Sequence, residues 1–399
     1  MSVFAAALQR QREQGLLRSL TALAHAPSKW IERNGVRCLN CASNNYLDLA
    51  GHPRLKQRAL EALESYGTGS GGSRLLGGNL PLHEELEMAL SRYRPLGKAL
   101  LLNSGFQANL TMVSTLGDFL GGVFADKLAH ASVAEGLRLS REPFHRFRHN
   151  DLNHLEELLR KHQPKQGGLV VTETLFSMDG DFAPLEELAV LQKRYGFWLL
   201  LDEAHSTGCD PGLLDLDKRG LRGLSDQVVL MGTFGKALGS FGAYAAGPAD
   251  AIDTLINFGR GFIFSTSLPP SVLGANLGAL ETVQNPEESW RPKRLREIAT
   301  FAREELRSRG FDLGPSESHI VPVRLGTPEA AVSISQSLFS HGIHAPAIRP
   351  PTVPEGTSRL RLNMTAAFTE EDVLHVAEAL ERAAQSLNSR DIDSGNPEA

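Results

Sequence analysis

Three short apolar runs, at 169–172, 198–201 and 228–231, recur about thirty residues apart, and this rhythm constrains the fold more than any other feature of the chain. Each run is too short for a helix and lacks the alternation of a half-exposed strand, so each reads as a strand buried on both faces. Helix-like segments lie between and before them, at 152–161 and 185–195, and further strand candidates stand at 99–102, 122–125 and 243–246. Alternation of this kind predicts an α/β domain built on a mostly parallel sheet. Ligands of such sheets bind beyond the carboxyl ends of the strands. The residues that follow each run are therefore the ones to read for chemistry.

The flanking sequence predicts a helix over 5–23, a β segment over 30–41 and an amphipathic helix over 55–65 with Leu55, Ala59, Leu60 and Leu63 on one face. Another helix is expected over 82–93. A polar stretch with two prolines, 285–292, marks a lobe boundary. Beyond it come a helix (295–309), a strand (320–325), a helix (330–341), a strand (359–363) and a last helix (370–387), which together read as a small α+β lobe. A chain of 399 residues exceeds one hydrophobic core. The expected division is an N-terminal arm over 1–45, a large α/β domain over 46–285, a small domain over 286–388 and a disordered tail over 389–399.

Hydrophobic residues make up 41% and charged residues 22%, ordinary for a globular protein, and the net charge is -5. This mild acidity argues against nucleic acid or a membrane as the main partner. No run of about eighteen apolar residues exists. The start of the chain soon reaches Arg10, Arg12 and Glu13 without the apolar stretch of a secretory signal, so a cytoplasmic location is expected. The three cysteines, Cys38, Cys41 and Cys209, cannot make a disulfide framework. Cys38 and Cys41 form a lone C-x-x-C with no second half, and no metal site is expected.

The run at 198–201 leads directly into Asp202-Glu203-Ala204-His205. A carboxylate at the end of a buried strand needs a positive partner, and a protonated pyridine nitrogen is one. A surface turn would read the same way if this tetrad stood alone. The next run, however, ends in Gly232-Thr233-Phe234-Gly235-Lys236-Ala237-Leu238-Gly239. Lysines usually lie on solvated faces; Lys236 has apolar residues and glycines on both sides. An amine held in an apolar cleft loses proton affinity and can form a Schiff base. Asn103 to Asn109 follow the strand at 99–102 and open a helix, whose first N–H groups can hold a phosphate. Ser265, Thr266 and Ser267 offer hydroxyls for the same anion. Gly67, Gly69 and Gly72 match G-x-G-x-x-G, but the loop follows a helix rather than a strand, so a dinucleotide site is rejected.

With these residues in view, the chain resembles the α-oxoamine synthases, a family of fold-type-I pyridoxal phosphate (PLP) enzymes. The resemblance runs over nearly the whole chain, through Ser43-Asn44-Asn45-Tyr46-Leu47, GTGSGGSR (67–74), NSGFQAN (103–109), ADKLAHAS (125–132), FSMDGD (176–181), DEAHSTG (202–208), GTFGKALG (232–239), FSTSLPP (264–270) and IRPPTVPEGTSRLRL (348–362). It implies a large, mostly parallel-sheet domain with a smaller C-terminal lobe, and a homodimer whose sites draw on both chains. It implies that Lys236 forms the Schiff base and that Asp202 pairs with the ring nitrogen, making the ring an electron sink. By the same resemblance His130 stacks on the ring, His205 and Ser177 approach its phenolic oxygen, and Gly105, Phe106, Thr233 and the partner chain's Thr266 hold the phosphate. Arg361 receives the amino-acid carboxylate, a task suited to a planar two-pronged donor; Arg18 and Thr352 lie near the substrate. Ser206 stands where relatives often carry glycine.

The segment at 348–362 points to the member that condenses L-alanine with a pimeloyl thioester, releasing carbon dioxide, in biotin synthesis. The sequence leaves coenzyme A and an acyl-carrier protein open as the donor. A sibling enzyme using glycine or serine with another acyl-CoA is the nearest alternative, since fold and lysine are shared. A non-catalytic subunit of the same fold is the alternative of another class; the presence of Lys236, Asp202 and His205 together argues against it.

Overall fold

The computed structural model describes residues 2–18, 20–24, 28–209 and 226–394, without the side chains of 388–394. Its strands in chain order are β1 (Trp30–Arg33), β2 (Val36–Asn40), β3 (Lys98–Leu102), β4 (Val123–Asp126), β5 (Phe144–Phe147), β6 (Leu169–Glu173), β7 (Trp198–Asp202), β8 (Val228–Thr233), β9 (Ala243–Gly247), β10 (Ile320–Gly326), β11 (Ile343–His344), β12 (Ala347–Ile348) and β13 (Ser358–Asn363). The chain forms two compact units. A large unit comprises Leu49–Ser177 and Phe182–Pro292; a terminal unit comprises Met1–Asp48, Met178–Asp181 and Lys293–Ala399. Among the described residues no helix is long and apolar enough to cross a membrane.

The large unit is built on a seven-stranded sheet in the order β3-β9-β8-β7-β6-β4-β5. All its strands run parallel except β9, which is antiparallel to both β3 and β8. This is the α/β architecture that the three apolar runs predict. Every residue of β6 is buried, as is all of β8, because helices cover both faces. One such helix, Gly105–Leu120, sets Ala108, Met112, Val113 and Leu116 against Val171, Val229 and Met231 in a single apolar cluster. Truncating a fully buried member such as Leu200 to alanine costs about 2–5 kcal/mol.

Sequence reasoning missed several elements, among them the helix Pro270–Gln284, and three further departures have a clear cause. β5 was not anticipated: its Phe-His-Arg-Phe is mostly exposed at the sheet edge and lacks a buried apolar run. The first helix spans only Val3–Glu13, not 5–23; Gly15 turns left-handed (φ 65°) just after it, and the helix buries no residue that would extend it. In the helix Pro53–Tyr66 the buried residues are Leu55 and Ala62, whereas Leu60 is 58% exposed. Leu60 lies five positions from Leu55, about 140° round the helix, off the face that packs.

In the terminal unit β1 and β2 form a hairpin closed by Asn34 and Gly35, both at positive φ (53° and 75°), the backbone that a two-residue turn of matching twist requires. β11 adds in parallel to β2, and β13 lies between β10 and β12. The short piece Met178–Asp181 joins this unit through Asp179, whose carboxylate accepts from Arg359 (2.7 Å) and Arg324 (3.0 Å). The last helix continues to Ser394, beyond the 387 expected; of the tail, 395–399 lie outside the described residues.

Candidate active site

Asp202 ends β7 and Lys236 lies in the loop after β8, the adjacent parallel strand. Asp202 is 4% exposed. One carboxylate oxygen accepts the backbone N–H of Ala204 at 2.8 Å, the other the side-chain amide of Asn109 at 2.7 Å. The Lys236 Nζ lies 2.6 Å from Nε2 of buried His205, close enough for the two nitrogens to share one hydrogen. Ser206 is tied to Thr174 by a 2.7 Å hydroxyl pair, which joins the Asp202–His205 turn to the end of β6. Strand ends thus bring together Asp202, His205 and Lys236, as their order in the sequence predicts.

His130 enters this cluster through a relay not foreseen in the sequence. Asn109 Nδ2 donates to Ser132 Oγ at 3.0 Å as well as to Asp202. Ser132 Oγ lies 2.7 Å from His130 Nδ1, and the Ser132 backbone N–H donates to that same nitrogen at 3.2 Å. A nitrogen that accepts an N–H carries no hydrogen, so Ser132 must donate to it, and the neutral ring holds its proton on Nε2. Loss of hydration lowers the His130 pKa below the ordinary imidazole value; Asp202 opposes this and Lys236 adds to it. The ring stands edge-on to Phe106, with centroids 6.4 Å apart.

Two further acids flank Asp202, and neither was singled out from the sequence. Glu173, the last residue of β6, is the register partner of Asp202 and is 2% exposed. Its Oε2 accepts the Ser177 N–H at 3.3 Å. Glu203 is fully buried, takes Arg94 Nε on Oε2 at 3.2 Å, and lies within reach of Tyr244. Burial raises the Glu203 carboxyl pKa and Arg94 works against that rise. Tyr244 faces Gly232 across the β8–β9 pair, and a Cβ at Gly232 would overlap the Tyr244 ring. Glycine is therefore needed there to let the aromatic side chain pass beneath the lysine loop. The available signal was the position of both acids at or just after a buried strand end.

Gly105 and Phe106 begin the helix Gly105–Leu120, where the first N–H groups point outward without an intrahelical acceptor. Ser104 caps it, its hydroxyl accepting from Gln107 N at 3.2 Å. Thr233 Oγ1 donates to Gly242 O at 2.9 Å and accepts from Gly235 N at 3.1 Å, so its hydroxyl also shapes the lysine loop. Thr266 is exposed, and its carbonyl accepts Asn103 Nδ2 at 2.6 Å. The glycine-rich loop docks on this segment: Ser70 Oγ donates to Ser267 O (2.9 Å) and Ser267 N to Gly72 O (3.0 Å). That loop follows the helix Pro53–Tyr66, which agrees with rejecting a dinucleotide fingerprint.

The terminal unit holds the other assigned residues. Arg361 lies on β13, its Nε donating to Asn363 Oδ1 at 3.1 Å and its Nη2 to Asn44 Oδ1. Asn44 in turn takes the Tyr46 hydroxyl at 2.9 Å. Arg18 Nη2 donates to Thr352 Oγ1 at 3.3 Å, and both residues line a cavity of about 680 Å³ with Arg33 and Arg349. Cys38 and Cys41 are free and buried, and burial pushes the Cys41 thiol up to about 12, so no thiolate is at hand.

Comparisons with known proteins agree with this geometry. Residues 36–380 match the model of the family "Aminotransferase class I and II". The chain is 44% identical over 387 residues to the 8-amino-7-oxononanoate synthase of Geobacter sulfurreducens, covering 95% of this chain and 97% of that protein. It is 44% identical over 374 residues to the enzyme of the same name from Geobacter metallireducens, covering 93% and 95%. Among solved structures, Sphingomonas wittichii serine palmitoyltransferase superposes with a TM-score of 0.90 at 28% identity, over 98% of this chain and 100% of that one. An 8-amino-7-oxononanoate synthase from Francisella tularensis superposes at 0.72 with 26% identity, over 88% and 99%.

Proposed function

The chain belongs to the class I and II aminotransferase family and, within it, to the 8-amino-7-oxononanoate synthases, and from that membership we propose that it joins L-alanine to a pimeloyl thioester, releasing carbon dioxide and the free thiol, to give 8-amino-7-oxononanoate in biotin synthesis. It is a PLP-dependent acyltransferase whose substrates are an amino acid and an acyl donor. The observation that carries the reading is the meeting of Asp202, His205 and Lys236 at the ends of adjacent strands, with Lys236 Nζ 2.6 Å from His205 Nε2. The residues fit the cofactor: a buried carboxylate, an amine on the next strand end, and a helix start beside β8 whose Gly105 and Phe106 N–H groups lack an intrahelical acceptor.

When bound, PLP supplies an electron sink for the α-carbon of the amino acid. Asp202, held by Asn109 and Ala204, pairs with the ring nitrogen. Ser177 and His205 would hold the phenolic oxygen, and Gly105, Phe106 and Thr233 would hold the phosphate. Lys236 would anchor the cofactor, and its amine is placed to act as the base toward the α-proton of the amino acid. His130, whose Nδ1 is occupied by Ser132, would offer its Nε2–H to the thioester carbonyl as negative charge develops there. Arg361 grips the amino-acid carboxylate; Arg18 and Thr352 serve the substrate. The donor carries coenzyme A or an acyl-carrier protein.

The working form is a cytoplasmic homodimer in which Thr266 reaches the neighbouring chain's phosphate. Exposed apolar residues around that segment support it: Leu76 is 89% exposed, Phe264 71% and Leu75 53%. Sedimentation of F264D as a monomer would agree, and a dimer unaltered by F264D and L76E together would not.

Thiol release from pimeloyl-CoA tests the activity. L-alanine is expected to drive it and glycine and serine are not. Release with glycine or serine and a different acyl group would move the chain to a sibling activity.

A further inference from the structure

Glu173 and Asp202 end adjacent parallel strands in register, so two buried carboxyl groups stand side by side next to Lys236. Their hydrogen bonding is unequal. Asp202 accepts two N–H groups at 2.7 and 2.8 Å. Glu173 Oε2 accepts the Ser177 N–H at a longer 3.3 Å, the His130 backbone N–H also reaches its carboxyl, and its buried Oε1 meets no partner among the described residues. The ionisable groups acting on Glu173 are Asp202 from β7 and Lys236 from the loop after β8, and the backbone N–H of His130, at the start of the helix Ala131–Leu139, reaches it as well. Lys236 Nζ is shared with His205 at 2.6 Å, and this one cation does not balance two buried negative charges. Of two adjacent acids, the better-solvated one ionises and the other keeps its proton.

We propose that Glu173 is a positioning residue that stays protonated in the resting site, leaving Asp202 as the single carboxylate at the base of the cofactor crevice. The direction of its pKa agrees: burial, then the Asp202 charge, push the carboxyl up to about 8, against Lys236 and the backbone N–H groups of His130 and Ser177. The neutral acid keeps its contact with Ser177 N–H, the residue assigned to the ring's phenolic oxygen, while adding no charge. Ionisation would release one proton to solvent and place a second negative charge beside Lys236 and His130, raising the proton affinity of both. The role deepens the PLP reading of this site and uses no property of the acyl donor.

Difference infrared spectroscopy of the cofactor-free protein, titrated from about pH 6 to about pH 10, tests this directly. The expected result is a protonated-carboxyl band that bleaches with a midpoint near 8 and is absent from E173Q. In the PLP-loaded protein, E173Q is expected to lose the matching component from the pH titration of the cofactor's absorbance. A wild type with no protonated-carboxyl band at pH 7 overturns the proposal, as does the same band and midpoint in E173Q. The wild-type titration stands by itself if the variant does not fold. Because it uses neither cofactor nor thioester, its outcome is separate from that of the thiol-release assay.

Discussion

In the large unit the groups assigned to the cofactor are fixed by buried strand ends and by one another, whereas in the terminal unit the arginines assigned to the substrate donate to asparagine and threonine oxygens. Asp202, Asn109, Ser132 and His130 form one continuous hydrogen-bonded chain, three of them 4% exposed or less. Arg361 rests on two asparagines and Arg18 on a threonine hydroxyl. The difference follows from the task. A cofactor that must be an electron sink needs a fixed charge pattern, which a low-dielectric setting strengthens. A substrate carboxylate that must come and go needs a planar, two-pronged donor that can grip and release it. Loss of a large-unit group should therefore appear in kcat, and loss of a terminal arginine in KM.

The largest effect is expected of K236A, which should lose the visible absorbance of bound PLP and at least about 1,000-fold in turnover. An unchanged spectrum would remove the lysine from its role. R361A should raise KM for the amino acid about 10- to 100-fold, the worth of a charge-assisted pair, with kcat changed far less. A fall confined to kcat would erase the contrast between the units. S132A removes one hydroxyl from the relay and is expected to cost about three- to tenfold in kcat. Nitrogen NMR should then show His130 populating both tautomers, whereas a single tautomer identical to wild type would show that the relay does not set it.

The smallest effect concerns stability away from the chemistry. His83 is buried and its Nδ1 accepts Leu80 N at 3.0 Å; burial and then Arg74 lower its pKa from 6.5 to about 4. A histidine depressed on folding contributes stability that is present above the unfolded pKa and lost as pH falls through the folded one. Wild-type Tm should accordingly drop between pH 6.5 and about 4 more steeply than that of H83N, which keeps an acceptor for Leu80. Equal slopes would contradict this.

Much of this contrast was legible in the sequence, but unevenly. Buried parallel strands advertise themselves as apolar runs, and Asp202 and Lys236 stand at their ends, where ligands bind. β5 carries no such signal, since an exposed edge strand has little apolar surface to bury. Glu173 looked like an ordinary residue after an apolar run; its meaning comes from the β6–β7 register, which sequence spacing does not disclose. Arg94 and Glu203 meet across 109 residues and belong to a helix end and a strand end, so no local pattern joins them. Asn109 and Ser132 read as helix-start residues, and only the packing of their two helices makes them a relay.

The most direct measurement is borohydride reduction of the PLP-loaded protein followed by peptide mass mapping. The account predicts one pyridoxyl group per chain, on Lys236. A label on any other lysine, or none on a protein that carries PLP absorbance, would contradict it.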